Sequence, residues 1–518
     1  MKPQSNFWVD QAAAAAMAAY PEGEIIVSSG HSPSGNYHVG TVREILTASA
    51  VAWAIRNAGR RARHIDFVDD FDAFRKVPVN VPEEWTKYIG WPLYAVPDPW
   101  DCHLSYGAHF VADLYSAIAV LGVEVETVYA HEAYPAGKFT ASIKASLAKL
   151  EQVRIIVAEV SGRELPDEWA PVQILSDAGS LREWRYSGWD KERGVVTYTT
   201  REGESGEVSY SSGRVKLDWR LDWPARWAIW NVNVEPFGRD HATKGGSYDT
   251  GKKLVADIFG GAAPLPVPYD FVNRFGNTKK MSKSSGDVIT ASGALEIMPP
   301  EILRFFILRT LPGRTLVFDE GVGLYNLIDE YSKVEQAVKA GQSPDFAEAY
   351  QLASAQTQSQ TISSVPFNHL VAVYQAARRS TDECLAILAR TGFETAVNDE
   401  REVIERELVF VGNWLDRYAP ESVVFSVQTT LPDVDLSEGQ KQFLSALADT
   451  ISGAGQPMDG QVMHEAIYAA RETAQLKPAD AFKTLYWVIL GKDSGPKAGW
   501  FLASLETGWL VDRLNLTK

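Results

Sequence analysis

The 518-residue sequence predicts an α/β half built on a parallel sheet, interrupted by a small β-rich insertion and followed by an all-helical C-terminal region. Three observations carry this. The apolar run Ile25-Ile26-Val27 passes through a glycine turn, Pro33-Ser34-Gly35-Asn36-Tyr37-His38-Val39-Gly40-Thr41, into a long segment of helical period. Strand-like and helix-like runs alternate to about residue 160 and resume near residue 229, which implies parallel strands joined by right-handed crossovers. Beyond Pro299 helical period dominates.

Taken in order, Val42, Ile45, Leu46, Ser49 and Trp53 mark the first helix, with polar Arg43, Glu44 and Thr47 between them and Gly59 as its stop. His64 to Val68 reads as a second strand that ends in Asp69, Asp70 and Asp72. Ser105 to Leu121 is a helix, Glu124 to Tyr129 a third strand and Ala141 to Val160 a further helix. From Ser161 to Lys216 short alternating runs such as Val195 to Thr199 sit among Gly, Ser and Glu and form the insertion. A Trp-dense stretch, Trp219 to Trp227, precedes a strand at Ile229 to Val234 and the segment Glu235-Pro236-Phe237-Gly238-Arg239-Asp240-His241. Pro268 to Val272 is one more strand, ahead of Lys279-Lys280-Met281-Ser282-Lys283-Ser284. Gly341 to Ser364 reads as a linker. Ser437-Glu438-Gly439-Gln440 resembles a capping box, and Pro478 to Leu490 is a helix stopped by Gly491. The expected division is 1–160 and 217–275 for the two halves of the α/β domain, 161–216 for the insertion, 276–340 for a Lys/Ser loop with its connection, and 341–518 for the helical region.

Apolar residues make up 45% and charged residues 22% of the chain, close to globular usage, which argues against disorder and fibrous structure. No apolar window is long enough to span a membrane and the N-terminus lacks a signal layout; a cytoplasmic protein with no membrane partner is expected. The only cysteines, Cys102 and Cys384, are far apart, so neither a disulfide framework nor a Cys-rich zinc module can be built. Cys102 and His103 are adjacent, but without a second cysteine nearby a metal centre is not expected. The net charge of −16 argues against indiscriminate nucleic-acid binding while leaving room for a local basic face.

Two stretches carry chemistry. A glycine-containing strand-to-helix turn lets a phosphate approach backbone amides at the positive end of a helix, with His38 as a further donor; the same turn also serves as a plain connection. Lys280-Met281-Ser282-Lys283-Ser284 puts two ammonium groups and two hydroxyls on a short small-residue stretch, suited to following negative charge as it moves along a polyphosphate.

Pro33-Ser34-Gly35 through His38-Val39-Gly40 resembles the HIGH signature of class I aminoacyl-tRNA synthetases, and Lys280 to Ser284 is the unaltered KMSKS signature. Within that class the chain is most similar to the lysyl-tRNA synthetases, through Asp69-Asp70-Phe71-Asp72, the Trp219 to Trp227 stretch, Glu235 to His241 with Gly245-Gly246-Ser247, and Gly495-Pro496-Lys497. The resemblance implies a Rossmann-type catalytic domain and a helical anticodon-binding region. It implies ATP with Mg2+, L-lysine and tRNA(Lys) as substrates, and a monomer. His38, Lys280 and Lys283 would be catalytic. Gly35, Gly40, Thr41, Gly238, Asp240, Met281 and Ser282, together with Lys283, would hold ATP. Gly30, Ser32, Trp219, His241 and Tyr269 would form the lysine pocket.

A lysine ammonium needs acceptors and its stem gains from an aromatic wall; Asp70, with Asp69 and Asp72 beside it, is an acceptor candidate that also reads as a helix cap. Thr41 stands where the general signature has a second histidine. The insertion carries Ser176, Ala178, Ser211 and Ser212 where relatives often have zinc-binding cysteines, so no protein-bound zinc is expected. Two rivals remain at this point: another class I synthetase, such as a glutamyl enzyme, whose pocket should present Arg or Lys, and a synthetase-like RNA-binding or regulatory protein without aminoacylation.

Overall fold

A computed structural model describes residues 6–162, 164–166, 168–276, 289–355 and 362–517. The chain divides into two compact units, one comprising Met1–Leu295, Leu303–Phe318 and Glu348–Gln358, the other Glu296–Ile302, Asp319–Ala347 and Ser359–Lys518.

The first unit is organised around a five-stranded parallel sheet whose order is Leu265–Tyr269, Val234–Gly238, Ile25–His31, Ala62–Val68, Glu126–Tyr129. Ile25, Ile26 and Val27 are buried, as a central parallel strand covered on both faces requires. The strand order reverses at Ile25–His31: the next strand in sequence lies on one side of it and Val234–Gly238 on the other. That reversal opens a crevice at the carboxyl ends of the strands, where α/β sheets bind ligands.

Helix Val39–Asn57 leaves this switch point and helix Trp8–Ala19 packs against it. Because it is covered on more than its sheet-facing side, its polar residues are inside as well: Arg43 is 1% and Thr47 2% exposed. The Arg43 guanidinium is spent on carbonyls, donating to Asp270 O at 2.7 Å, Pro312 O at 2.8 Å and Arg314 O at 2.9 Å.

The Trp-dense stretch is a helix, Trp219–Trp230, capped by Asp218 and ended by Asn231 in the left-handed region. This corrects the expected strand at Ile229 to Val234, which begins at Val234. Trp219, Trp223, Trp227 and Trp230 recur at helical spacing, and burying those indoles outweighs the short apolar run. The single helix expected over Ala141 to Val160 is two, Thr140–Ala148 and Leu150–Ser161, broken at Lys149. Helix Ala347–Ala355 lies inside the expected linker.

The insertion is β-rich as expected. Val172–Ile174 pairs antiparallel with Val215–Leu217, and Arg185–Asp190, Val195–Thr199 and Ser205–Ser209 form an antiparallel meander. The Trp184 and Tyr198 rings stack at 3.8 Å, with the Arg214 guanidinium over Trp184. Ser176 Oγ donates to Glu183, and Ser212 Oγ to Ser209 O.

The second unit is helical among its described residues. The capping box forms, with Ser437 and Gln440 each accepting the other's backbone amide. Helix Pro478–Leu490 ends at Gly491, whose φ of 66° favours glycine. Phe443, Leu444, Leu447, Ile467, Leu485 and Phe501 belong to one continuous core. No helix among the described residues is long and apolar enough to cross a membrane.

Candidate active site

A cavity of about 310 Å3 opens at the sheet reversal, lined from every element that ends there. Strand Ile25–His31 supplies Gly30 and His31; the following turn and helix supply His38, Gly40, Thr41 and Glu44. Helix Trp219–Trp230 adds Trp219, Trp223 and Arg226. Strand Val234–Gly238 and its extension add Glu235, Gly238, Asp240 and His241, and strand Leu265–Tyr269 adds Tyr269.

His38 is the N-cap of helix Val39–Asn57: its Nδ1 accepts the Gly40 amide at 3.0 Å. With Nδ1 accepting, the proton of the neutral ring sits on Nε2, which makes that nitrogen the donor. The amide of Val39 donates to Ile289 O at 3.3 Å and that of Thr41 to His38 O at 2.8 Å. The amides of Val39, Gly40 and Thr41 at the start of this helix are thus engaged within the protein. Gly40 is required by close approach, since a Cβ there would meet His38 Cε1 at 2.7 Å. Gly40→Ala is expected to displace the imidazole and lower kcat/KM by about 10²-fold or more, the cost of losing an oriented donor. The check is steady-state kinetics beside a circular-dichroism spectrum that stays unchanged.

Glu44 enters the cavity beneath the turn, and it is the residue missed in the sequence, where it passes for a solvent-facing spacer. Its Oε1 accepts the Gly30 amide at 3.0 Å and its Oε2 accepts the Tyr269 hydroxyl. Burial pushes its carboxyl up to about 8, against the pull of the Tyr269 and Gly30 donors. Burial also holds the Tyr269 hydroxyl well above its ordinary value, with the Glu44 charge adding to it. A carboxyl raised this far in an open cavity marks a candidate functional group.

An aromatic wall stands beside it. Trp219 and Trp223 stack at 5.7 Å, and the His241 ring tilts against both at 5.4 and 5.6 Å. Trp223 is fixed by its Nε1, which donates to Glu235 at 3.0 Å, and Trp227 donates to the same carboxylate.

A buried ionic network reaches into the cavity wall through Asp69 and Arg226. Arg226 pairs with Asp69 and, through Nε, with Asp222 at 2.6 Å. Lys216, on insertion strand Val215–Leu217, lies 3.1 Å from Asp72 and 3.6 Å from Asp222. Tyr134 donates to Asp222 at 2.6 Å. Burial raises Asp69 to about 6 even beside Arg226.

Of the residues singled out in the sequence, Gly30, His38, Gly40, Thr41, Asp69, Trp219, Gly238, Asp240, His241 and Tyr269 share this cavity. Ser32 and Gly35 sit in the same turn but are not lining residues. Asp70 lies elsewhere, its carboxylate taken by the backbone amide of His131 at 3.0 Å and by the His131 ring. Lys280, Met281, Ser282 and Lys283 fall outside the described residues.

Away from the cavity, ligand atoms of Asp98, Cys102, His103 and His109 lie within 4.8 Å of one another, a donor set that suits a borderline divalent ion. The signal in the sequence was the spacing of one Asp, one Cys and two His, not a pair of cysteines. Within the cluster Asp98 accepts the amides of Cys102 and His103 at 3.0 and 2.8 Å, and Cys102 Sγ is 3.2 Å from the Nδ1 atoms of His103 and His109.

Residues 6–359 match the sequence profile of the family described as tRNA synthetases class I (K). The chain is 39% identical over 516 residues to lysine–tRNA ligase 1 of Methanosarcina acetivorans, covering 95% of both chains. It is 37% identical to a lysine–tRNA ligase of Methanosarcina barkeri, covering 95% of this chain and 94% of that one. It is 34% identical to the lysine–tRNA ligase of Pyrococcus horikoshii, covering 95% of both. Among solved structures, a glutamate tRNA ligase from Elizabethkingia meningosepticum shares 14% identity over 96% of this chain and 99% of that chain. Its TM-score of 0.45 carries no argument about specificity.

Proposed function

This chain belongs to the class I (K) family of tRNA synthetases, and from that membership together with the cavity's chemistry we propose that it charges tRNA(Lys) with L-lysine at the sheet reversal. The lysine carboxylate attacks the α-phosphate of ATP to give lysyl-adenylate and pyrophosphate. The terminal ribose of the tRNA then attacks the activated carbonyl and releases AMP.

The observation that carries the reading is Glu44. Its carboxylate, backed by Tyr269 and Gly30, is the acceptor for the lysine ammonium, and Trp219, Trp223 and His241 cover the alkyl stem. Glu44 also disfavours glutamate, whose carboxylate would meet a carboxylate, and the arginine lining the cavity, Arg226, is already paired with Asp69 and Asp222. Asp70 has no part in this pocket.

His38 donates through Nε2 to the ATP phosphates, and Gly238 and Asp240 approach the ribose. A Cβ at residue 238 would come within 2.6 Å of Asp240 Oδ1, so the glycine keeps that carboxylate in place. The remaining positive charge is assigned to Lys280 and Lys283. Supporting this, the chain on both sides of residues 277–288 is anchored at the cavity: Val272 lines it, and Thr290 bridges His38. The lysines stabilise the charge that builds up as pyrophosphate leaves, so positioning and electrostatics replace a covalent nucleophile. Mg2+ accompanies ATP as part of the substrate, held mainly by its phosphates.

The deciding experiment is pyrophosphate exchange with each amino acid in turn, with and without tRNA. Lysine-dependent exchange is expected. Exchange with glutamate instead defeats the lysine assignment, and none with any amino acid favours a non-catalytic RNA-binding protein. Lys283→Ala should lower exchange by about 10²-fold with the fold intact; an unchanged rate removes the lysine pair from the mechanism.

A further inference from the structure

Behind the glycine turn a chain of buried polar side chains runs from the sheet to the residue before His38, and the activation chemistry makes no direct use of it. From it we infer that Asp66, His31 and Tyr37 are positioning residues for adenylate formation: the carboxylate orients the imidazole, the imidazole takes the Tyr37 hydroxyl, and Tyr37 sets the place from which His38 reaches ATP. The inference rests on the reading of His38 as the donor to the ATP phosphates.

Asp66 lies opposite Ser29 on the paired strands Ala62–Val68 and Ile25–His31. Parallel strands covered on both faces are normally apolar throughout, so a carboxylate with 0% exposure there must be provided with partners. It has three. Ser29 Oγ donates to Oδ1 at 2.6 Å, and Oδ2 accepts the Tyr115 hydroxyl at 3.0 Å and meets His31 Nε2 at 2.9 Å. Burial works against the charge, but His31 and the hydrogen bonds from His31 and Ser29 hold the Asp66 carboxyl below the ordinary carboxylate range.

A carboxylate only accepts, so the His31 proton facing it sits on Nε2. Nδ1 of the neutral ring is then the acceptor, and the Tyr37 hydroxyl lies 2.5 Å from it. Burial, with the Asp66 charge adding to it, holds that hydroxyl well above its ordinary value, so Tyr37 keeps the proton it donates. The direction is fixed from end to end: Tyr37 donates to His31 and His31 to Asp66.

Tyr37 carries this order into the turn. Its side chain is fully buried and meets the His31 ring edge-on at 4.8 Å. Its carbonyl accepts the Ala291 amide at 3.1 Å, and the Val39 amide donates to Ile289 O at 3.3 Å. The backbone on either side of His38 is thus held by residues 289–291, while the side chain just before it is held by the sheet. At the far end of the turn the Tyr106 hydroxyl donates to Ser34 O at 3.1 Å. Packing alone calls for no polar atoms here, where each one left unpaired costs free energy. His31 also lines the catalytic cavity, so the chain joins the cavity wall to the turn that bears His38.

The test is a double-mutant cycle on the full-length protein, read by lysine-dependent pyrophosphate exchange. Tyr37→Phe removes one hydroxyl and is expected to lower kcat about tenfold while the KM for lysine and the circular-dichroism spectrum stay those of the wild type. In a His38→Ala background the same change should cost little, because the residue through which it acts is gone. A purely structural role would cost the same in both. An equal loss in the two backgrounds, or a wild-type kcat in Tyr37→Phe, overturns the inference. His31→Gln keeps a donor and an acceptor on one planar group and should retain most of the activity, whereas His31→Leu should not; equal rates for these two, measured where both are folded by thermal unfolding, overturn it as well. Absence of lysine-dependent exchange in the wild-type protein overturns instead the underlying reading of function.

Discussion

Glu44→Gln is expected to raise the KM for lysine by roughly 10²-fold or more while leaving the protein folded. The glutamine still accepts the Gly30 amide, so the local structure keeps its donor satisfied, but the bound ammonium would face a neutral amide in an enclosed cavity. Removing one partner of a buried, hydrogen-bonded charge pair costs about 2–5 kcal/mol, which at 1.4 kcal/mol per decade spans roughly 30-fold to 4,000-fold, with that factor inside the range.

Protonation supplies a second signature. With its carboxyl near 8, Glu44 is mostly protonated at pH 7 in the empty site. Lysine binds the ionised form, so binding at pH 7 should release most of a proton, read by calorimetry in buffers of different ionisation enthalpy. Affinity should rise with pH toward about 8. In the empty protein the folded carboxyl lies above its ordinary 4.5, so the folded state binds more protons there than the unfolded chain between those values. This group's contribution to stability is therefore present at low pH and falls as pH rises through that window. Saturating lysine should remove that slope, and Glu44→Gln should abolish both the slope and the proton release. No proton release from the wild-type protein sinks the assignment of Glu44.

Much of this was legible in the sequence, in the places where local pattern and tertiary environment agree. The strand Ile25–His31, the turn through His38 and the capping box at Ser437 follow from apolar runs, glycines and side-chain caps. Glu44 was not legible, because a polar residue between apolar positions at helical spacing reads as a solvent face; helix Val39–Asn57 is covered on more than one side, and Arg43 and Thr47 are inside with it. Asp70 drew attention as one of three carboxylates at a strand end, yet the side chains there separate: Asp69 to Arg226, Asp70 to His131 and Asp72 to Lys216. Alternation at a strand end sends neighbours in different directions, and only the packed partners decide which carboxylate meets the ligand. The Trp219–Trp230 helix shows the reverse error, a true helical period hidden by an internal Pro224 and by the apolar run that follows.

Arg226→Leu is expected to be the most damaging single change to the fold of the catalytic unit, costing about 3–5 kcal/mol in denaturation experiments. The guanidinium is the shared partner of Asp222, which is fully buried, and Asp69, which is 8% exposed at the cavity wall, and a leucine of lesser reach leaves two carboxylates without their shared cation. Lys216 and Tyr134 still serve Asp222, so the larger part of the cost falls on Asp69, which burial already holds up at about 6. Adding Asp69→Asn to Arg226→Leu should therefore recover part of the loss, making the pair cheaper than the two single changes summed; strict additivity contradicts the network. The same cycle reaches function. Arg226 Nη1 approaches to 3.9 Å of where a Cβ on Gly30 would stand, and the Gly30 amide is one of the two donors that hold Glu44. Strand-end carboxylates, an insertion lysine and a helix arginine thus meet at the wall of the proposed lysine site, so Arg226→Leu should weaken lysine binding even at temperatures where the protein stays folded.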